Sequence, residues 1–265
     1  MSTPERVGAY SVVAYRAMSV PAEVFDARLA ASRLLSPGVR ELLLERADGR
    51  TFQFDPGQWV NLVLPLADGE IKRAYSIASA PASSSRFEIA VTRVAGGPGS
   101  IFLHDLAEGA TLRAIGPHGL FTRAPSDRTP SMFVATGTGV TPLRSMIQAA
   151  LGAGSRAPLW LLFGARSEED ILYREEFERW ARDLPQVRYE ITLSQPKSSW
   201  TGRRGYVQAH VPELYGALGA SASVAEDGAP NVYVCGLERM VKSVRGILRH
   251  ELSADRKHVH IERYD

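Results

Sequence analysis

The hydrophobic pattern changes once along this 265-residue chain, and that change constrains the fold more than any other feature. From about residue 22 to 122, short segments of strand composition are separated by turn sequences such as SPG, ADGR, DPG and ADGE. Turn signals at this spacing indicate antiparallel strands. Six such segments predict an N-terminal antiparallel six-stranded β-barrel, with one short helix at GSIFLHDLAEG.

The second half of the chain has a different pattern. After the Pro- and Ser-rich segment TRAPSDRTPS, apolar strands alternate with helices as far as the last predicted strand, HVHIERYD. This alternation predicts a parallel sheet with helices on both faces, the architecture of a nucleotide-binding α/β domain. The segment GALGASASVAEDGAP lacks apolar periodicity and is predicted to be a surface loop. The predicted division is an N-terminal extension over residues 1–21, a barrel domain over 22–125 and an α/β domain over 126–265.

The composition excludes several classes of protein. The single cysteine, Cys235, rules out a disulfide framework, an iron–sulfur cluster and a cysteine-built zinc site within this chain. His258 and His260 share a strand face, but two histidines without a third ligand do not predict a metal site. The net charge of +2 gives no support for nucleic-acid binding, whereas a pI of about 8.7 permits a local basic patch for an acidic partner.

No apolar run reaches the roughly 18 residues that a membrane span requires. We therefore expect a soluble, cytoplasmic protein, and a monomer, with no membrane span.

Two glycine-containing segments have the features of phosphate sites. ATGTGVTPLRSM follows a predicted strand and opens a helix, so that Gly137 and Gly139 let backbone amides approach a ligand and Pro142 suits the first helical turn. In VTRVAGGPGSIFLHDL, Gly99 and Ser100 stand at the start of a second helix. Phosphate sites in both halves of the chain indicate two dinucleotides.

The segment RAYSIAS explains how the barrel half could hold one of them. Strand alternation places Arg73 and Tyr75 on one face, so that a cation lies beside an aromatic ring. Arg73 would bind phosphate and Tyr75 would stack on a flat ring. Ser76 would form a hydrogen bond with the edge of that ring.

Six elements in order resemble the ferredoxin–NADP reductase family: RAYS, GGPGS, GPHG, GTGVTP, CGLERM and IERY. The resemblance extends from about residue 22 to the end of the chain. It implies a stand-alone flavoprotein oxidoreductase that holds FAD and passes hydride between nicotinamide C4 and flavin N5. It also implies a one-electron carrier, ferredoxin or flavodoxin, as partner. That carrier would be a separate protein, because this chain has no iron–sulfur ligands.

The resemblance assigns roles to individual residues. The catalytic set is Ser76 near flavin N5, Cys235 beside the nicotinamide, and Glu262 and Tyr264, which match a terminal Glu-x-Tyr whose tyrosine covers the flavin until nicotinamide replaces it. In this chain Asp265 follows that tyrosine. The predicted cofactor-binding residues are Arg73, Ala74, Tyr75, Ser76, Thr92, Gly99, Ser100, Gly137, Thr138, Gly139, Pro142, Ser194, Arg203, Arg204, Tyr206, Gly236 and Tyr264.

The choice of nicotinamide cofactor depends on LSQPKSSWTGRRGYVQ. The resemblance places recognition of the NADP phosphate in a Ser-Arg pair followed by Arg-x-Tyr. Ser194 is present, but Gln195 stands where the arginine is expected, and Arg204 and Tyr206 keep the second element. Arg203 adds a cation, and paired arginines suit a phosphate dianion. We therefore favour NADPH, with NADH possible because the pattern around Trp200 also resembles NADH-using relatives.

Two alternatives stay open at this point. One is an NADH-dependent reductase component that serves an oxygenase through a separate ferredoxin. The other belongs to a different class, a non-catalytic flavin-binding subunit that relays electrons or regulates a complex.

Overall fold

The computed structural model describes residues 20–220 and 229–264. Residues 1–19 of the predicted N-terminal extension, residues 221–228 of the predicted surface loop and Asp265 lie outside the described residues. The described residues form two six-stranded sheets, the first antiparallel and the second parallel. Both predicted architectures are therefore confirmed.

The first sheet has the strand order β4-β3-β6-β1-β2-β5. Just beyond β4, Ile77 pairs with Ile89 of β5, so the two edges of the sheet meet and the sheet curls into a barrel. Alternate side chains such as Leu29, Leu44 and Phe87 fill its interior, and burial of these apolar surfaces stabilises the barrel. The strands are β1 Glu23–Ser36, β2 Val39–Arg46, β3 Trp59–Leu66, β4 Gly69–Ser76, β5 Arg86–Thr92 and β6 Thr111–His118.

The predicted short helix is α1, Pro98–Asp105, between β5 and β6. Its C-terminal carbonyl groups accept hydrogen bonds from one cation of β2: Arg40 Nη1 lies 3.0 Å from the carbonyl oxygen of Leu103 and 2.6 Å from that of His104. A cation at a helix C-terminus satisfies carbonyl groups that have no partner within the helix. These bonds fix the C-terminal end of α1 to β2.

The second sheet has the order β10-β9-β8-β7-β11-β12, and all its strands are parallel. Successive strands run outwards from β7 in one direction and then from β11 in the other, so the topological switch point lies between β7 and β11. Ligands of open α/β sheets bind at such a point, beyond the carboxyl ends of the strands. The strands are β7 Ser131–Thr136, β8 Leu159–Ala165, β9 Val187–Leu193, β10 Arg203–Arg204, β11 Asn231–Leu237 and β12 Val259–Tyr264.

Helices cover both faces of this sheet. One face packs against α2, Val140–Gly152, and α3, Arg174–Asp183. The other packs against α4, Val211–Gly219, and α5, Glu238–Gly246, which a π-helical turn extends. No helix in the described ranges is both long and apolar enough to cross a membrane.

Two local predictions were wrong. The sequence EEDILYREEFERWARDL predicts a helix from residue 168, but α3 begins only at Arg174, because Tyr173 has a left-handed backbone (φ 55°). Helix α4 was not predicted, and its last turn falls in the segment assigned to a loop. Glycines Gly216 and Gly219 weaken its helical signal, whereas burial of Leu214 and Leu218 stabilises it in the fold.

Helix α2 also fastens the parallel sheet to the barrel. Arg144 Nη1 lies 2.6 Å from Glu88 Oε2 and 3.0 Å from the carbonyl oxygen of Ala78, while Arg144 Nε lies 2.5 Å from Glu176 Oε2 of α3. One turn further on, Gln148 Oε1 accepts a hydrogen bond of 2.7 Å from the amide of Ala80. The switch point therefore faces the end of β4.

Candidate active site

The loops after β7 and β11 interlock at the switch point. A Cβ atom at Gly139 would lie 2.3 Å from the carbonyl oxygen of Cys235, and one at Gly236 (φ 153°) would lie 2.5 Å from Thr136 Oγ1. Only glycine allows the two backbones to approach so closely. Beside them Gly137 has φ 54° and open space where a side chain would stand. This opening beyond the strand ends suits a dinucleotide phosphate.

Four predicted catalytic residues converge beside this opening. Ser76 Oγ at the end of β4 lies 2.7 Å from the hydroxyl oxygen of Tyr264. The register of β11 and β12 pairs Cys235 with Glu262, and Cys235 is fully buried. The Tyr264 hydroxyl also faces the Cys235 thiol. Three strands from both sheets thus bring Ser76, Cys235, Glu262 and Tyr264 together.

Burial raises the pKa values of the ionisable groups in this set. It raises the pKa of Glu262 to about 7, and hydrogen bonding with Ser76 opposes that rise. The Glu262 Oε2 atom is buried and has no hydrogen-bond partner in the described part of the chain. Burial also raises the pKa of the Cys235 thiol and the pKa of the Tyr264 hydroxyl well above their ordinary values. Of these three groups, Glu262 is therefore the one whose pKa lies near neutral pH.

The barrel supplies the second phosphate cradle. A Cβ atom at Gly99 would lie 3.3 Å from Arg73 Cγ, so the Arg73 side chain crosses the first turn of α1. The Arg73 guanidinium donates to the carbonyl oxygen of Lys72 at 2.9 Å and forms no ion pair with any described residue. A cation over a helix N-terminus is an arrangement that binds phosphate.

Three other predicted residues complete the barrel side of the cleft. Burial raises the pKa of Tyr75 to about 12, so its hydroxyl stays protonated at neutral pH. Ser100 Oγ lies 2.9 Å from the carbonyl oxygen of Gly97, to which it donates, and 3.0 Å from the amide nitrogen of Val94, from which it accepts, so it shapes the glycine turn. Ala74 is exposed on the opposite strand face from Tyr75.

Thr92 and Thr138 connect the two sides of the cleft. Thr92 at the end of β5 and Thr138 after β7 have their Oγ1 atoms 3.5 Å apart. Pro142 is buried in the first turn of α2, as its fixed backbone φ favours. The opening beside Gly137 is therefore bounded by the barrel on one side and by α2 on the other.

The residues predicted to recognise the NADP phosphate lie at another part of the carboxyl edge of the parallel sheet. Arg203 is held by two acids: Nε lies 2.9 Å from Glu190 Oε2, and Nη1 lies 2.6 Å from Glu213 Oε2. Its charge is therefore balanced within the fold, and its role towards a phosphate stays a prediction. Arg204 instead donates to the carbonyl oxygen of Trp200 at 2.7 Å, and the Tyr206 side chain is 68% exposed.

The sequence did not reveal the pocket beside Glu262. This pocket has a volume of about 350 Å³ and is lined by Leu120, Phe121, His260, Ile261 and Glu262. The imidazole of His260 stacks on Tyr233, with ring centroids 4.6 Å apart. Alternation along β12 places His260 on the same strand face as Glu262, and this spacing is the signal that could have found it. The pocket gives Glu262 a route to solvent.

The structure has two candidate phosphate sites, one on the barrel and one at the switch point of the parallel sheet. Between them lies a quartet of polar residues, Ser76, Cys235, Glu262 and Tyr264. This arrangement defines a flavin- and nicotinamide-dependent oxidoreductase. Comparison with known proteins agrees. Residues 26–122 match the oxidoreductase FAD-binding domain family, and residues 133–246 match the oxidoreductase NAD-binding domain family. The chain belongs to the ferredoxin–NADP reductase family.

Individual relatives support this assignment. The chain is 65% identical to ferredoxin–NADP reductase B of Sorangium cellulosum over 93% of its own length and 100% of that relative. It is 31% identical to the phenol hydroxylase P5 protein of Acinetobacter pittii, covering 87% of this chain but only 62% of that longer relative. The predicted family, enzyme class and cofactor classes are therefore confirmed.

Solved structures give the same fold. Amycolatopsis cytochrome P450 reductase GcoB superposes with a TM-score of 0.77 at 26% identity, over 92% of this chain and 70% of that one. A ferredoxin-NADP+ reductase from Plasmodium falciparum with 2'P-AMP superposes with a TM-score of 0.73 at 21% identity, over 91% of this chain and 96% of that one. The second likeness concerns the fold alone.

Proposed function

We propose that this protein moves electrons between NADPH and a separate one-electron carrier protein, of the ferredoxin or flavodoxin type. The observation that carries this proposal is the convergence of Ser76, Cys235, Glu262 and Tyr264 between the two phosphate cradles. The 65% identical relative named as a ferredoxin–NADP reductase supports it. We also propose the division into a flavin domain, residues 22–125, and a nicotinamide domain, residues 126–265.

The residues present fit FAD. The Arg73 side chain over the start of α1 provides a cation and helix amides for the pyrophosphate, and Tyr75 provides an aromatic face for the isoalloxazine. When bound there, the flavin supplies the redox chemistry, since it exchanges hydride with nicotinamide and single electrons with a carrier. No residue of the quartet is itself oxidised or reduced.

The quartet has three tasks in this proposal. Ser76 forms a hydrogen bond at the ring edge, and Glu262 holds or releases the proton that accompanies electron transfer. Cys235, neutral and fully buried, forms an apolar, polarisable wall for the nicotinamide. Tyr264 occupies the approach until the nicotinamide displaces it. Its bond to Ser76 then breaks, and one neutral hydrogen bond contributes only about 0.5–1.5 kcal/mol.

We propose the preference for NADPH from the residues at the carboxyl ends of β9 and β10 in the parallel sheet. Ser194, Arg204 and Tyr206 lie at the carboxyl ends of β9 and β10, and Arg204 meets only carbonyl oxygens in the described part of the chain. The competing candidate is an NADH-dependent component that serves an oxygenase. It is favoured by Gln195 in place of an arginine and by the 31% identical phenol hydroxylase protein.

An anaerobic mixing experiment separates the candidates. The purified protein is mixed with NADPH and, separately, with NADH, and bleaching of the flavin band is followed with time. Faster bleaching with NADPH supports the proposal, whereas preference for NADH moves the assignment to the oxygenase component. A flavoprotein that neither cofactor bleaches contradicts both. The cytoplasmic location and the monomeric state stay predictions.

A further inference from the structure

The pocket beside Glu262 also contains an imidazole that has no part in the proposed function. In the register of β11 and β12, His260 pairs with Tyr233 and Glu262 pairs with Cys235. Tyr233 and Cys235 both belong to the core that packs against α2, so His260 and Glu262 lie on that same face of the sheet. Their positions along the strand are about 6.6 Å apart, a gap that one water molecule spans with two hydrogen bonds.

Aromatic stacking orients the imidazole of His260 without using its nitrogen atoms. The ring centroid lies 4.6 Å from that of Tyr233 with an interplanar angle of 14°, and Tyr233 stacks in turn on Phe133. In the described part of the chain, neither ring nitrogen of His260 has a hydrogen-bond partner. His258, by contrast, lies with Nδ1 2.9 Å from Asn231 Oδ1. Both nitrogens of His260 are therefore available to water in the pocket.

The surroundings of His260 favour its neutral form. Burial lowers the pKa of His260 below its ordinary value, the charge of His258 lowers it further, and Asp127 opposes both. Asp127 lies in the segment before β7, where its backbone carbonyl oxygen accepts a hydrogen bond of 2.9 Å from Arg123. Burial raises the pKa of Tyr233 to about 12, so the ring stacked on His260 adds no charge at neutral pH. A neutral imidazole accepts a proton on one nitrogen and donates one from the other.

The carboxyl group of Glu262 has an oxygen that solvent does not reach directly. Glu262 Oε2 is buried and has no hydrogen-bond partner among the described residues. The pocket has a volume of about 350 Å³ and is lined by both Glu262 and His260. Because a water molecule occupies about 30 Å³ in the liquid, this pocket is large enough for several, and its two polar side chains give them partners.

From this geometry we propose that His260 relays a proton between Glu262 and solvent through the pocket that they share. On release, the O–H bond of Glu262 breaks as a pocket water takes its proton, and that water gives a proton to one nitrogen of His260. The other nitrogen then loses its proton to solvent, and the imidazole is neutral again. The inference rests on the proposed function, in which oxidation of one NADPH by two one-electron carriers leaves one proton to be discharged.

Time-resolved infrared spectroscopy tests this relay without turnover. Protons are released by photolysis of a caged-proton compound mixed with the oxidised, flavin-loaded protein. Protonation of Glu262 is then followed at its carboxyl band, which is identified by its absence in Glu262→Gln. We expect His260→Gln to slow this protonation about tenfold, because glutamine does not both accept and release a proton. His250→Gln is the matched control, because His250 is exposed in the turn that extends α5 on the other face of the sheet.

Rescue by imidazole distinguishes a relay from a structural role. We expect added imidazole to restore the protonation rate in His260→Gln and to leave the rate in the unaltered protein unchanged. If His260→Gln misfolds, His260→Phe replaces it, because phenylalanine keeps the stacking on Tyr233 without the ring nitrogens. The expected slow protonation is then the readout.

The possible outcomes separate this inference from the proposed function. If Glu262 is protonated as fast in the His260 variant as in the unaltered protein, the relay is overturned while the use of NADPH stands. Slow protonation in His260→Gln that imidazole does not restore also overturns it, because His260 then only shapes the pocket. If neither nicotinamide cofactor bleaches the flavin, the proposed function fails, and the protonation rate of Glu262 still decides the inference.

Discussion

The hydroxyl oxygens of Ser76 and Tyr264 lie 2.7 Å apart, although the two residues are separated by 188 positions in the chain. Ser76 ends a barrel strand and Tyr264 ends the last strand of the parallel sheet. This bond joins the two sheets at the candidate active site. If Tyr264 is displaced by nicotinamide as proposed, access of the cofactor is coupled to this one hydrogen bond.

Replacement of Ser76 by alanine tests the proposed role of its hydroxyl. We expect Ser76→Ala to retain flavin but to slow hydride transfer at least tenfold, on the order of 1.4 kcal/mol of lost stabilisation. The reason is loss of the hydrogen bonds at the ring edge and to Glu262. The measurement is the anaerobic single-turnover rate. Ser243→Ala is the control, because among the described residues Ser243 Oγ bonds only to a carbonyl oxygen within α5. An unchanged rate in Ser76→Ala would remove Ser76 from the mechanism.

The buried carboxyl of Glu262 should make stability depend on pH. Its pKa rises from an ordinary 4.5 to about 7, so between these values the folded protein keeps a proton that the unfolded chain releases. The free energy of unfolding should therefore fall as the pH rises through this window and change no further above it. In Glu262→Gln the side chain has no proton to release, so this fall in the free energy of unfolding should be absent. Urea unfolding from pH 4.5 to 8 measures the difference between the two proteins, and parallel curves would contradict the burial of this charge.

Removal of Arg144 should destabilise the fold strongly. Arg144 is 5% exposed and bonds to Glu88 and Glu176. Arg144→Ala leaves both carboxylates without their cation, and breaking a buried pair in this way costs about 3–5 kcal/mol. Arg182→Ala removes an exposed pair and should cost less than about 1 kcal/mol. Urea unfolding of both variants gives the comparison, and similar values would show that the buried contacts add nothing.

The close approach at Gly139 predicts a severe effect of a single methyl group. The backbone of Gly139 has an ordinary helical conformation (φ −57°), so the penalty of Gly139→Ala comes from the contact of 2.3 Å with Cys235 rather than from backbone strain. We expect loss of NADPH binding together with a lower unfolding temperature. Gly216→Ala in α4, where nothing lies within 4 Å, should be neutral or stabilising. Thermal unfolding and NADPH titration of the two variants decide the matter, and equal behaviour would refute the steric argument.

Much of the site could be predicted because strand patterns and motif order are local signals. The parallel-sheet rule places Gly139 and Cys235 at one edge, and the structure brings their backbones into contact there. The balance of charges could not be predicted. In the sequence Arg144 is one more helical cation, and its partner Glu88 belongs to a distant strand. Likewise Arg203 reads as a free cation until the fold brings Glu190 and Glu213 to it.

The contacts of Arg144 also limit how this protein can be recombined with its relatives. Its guanidinium bonds to Glu88 and to the Ala78 carbonyl of the barrel as well as to Glu176 of α3, so this side chain is one of the contacts that match the two halves. A chimera that joins this barrel to the second half of a relative without an arginine at this position leaves Glu88 at the junction with no cation. A chimera built to exchange the cofactor preference should therefore carry Glu88 and Arg144 together.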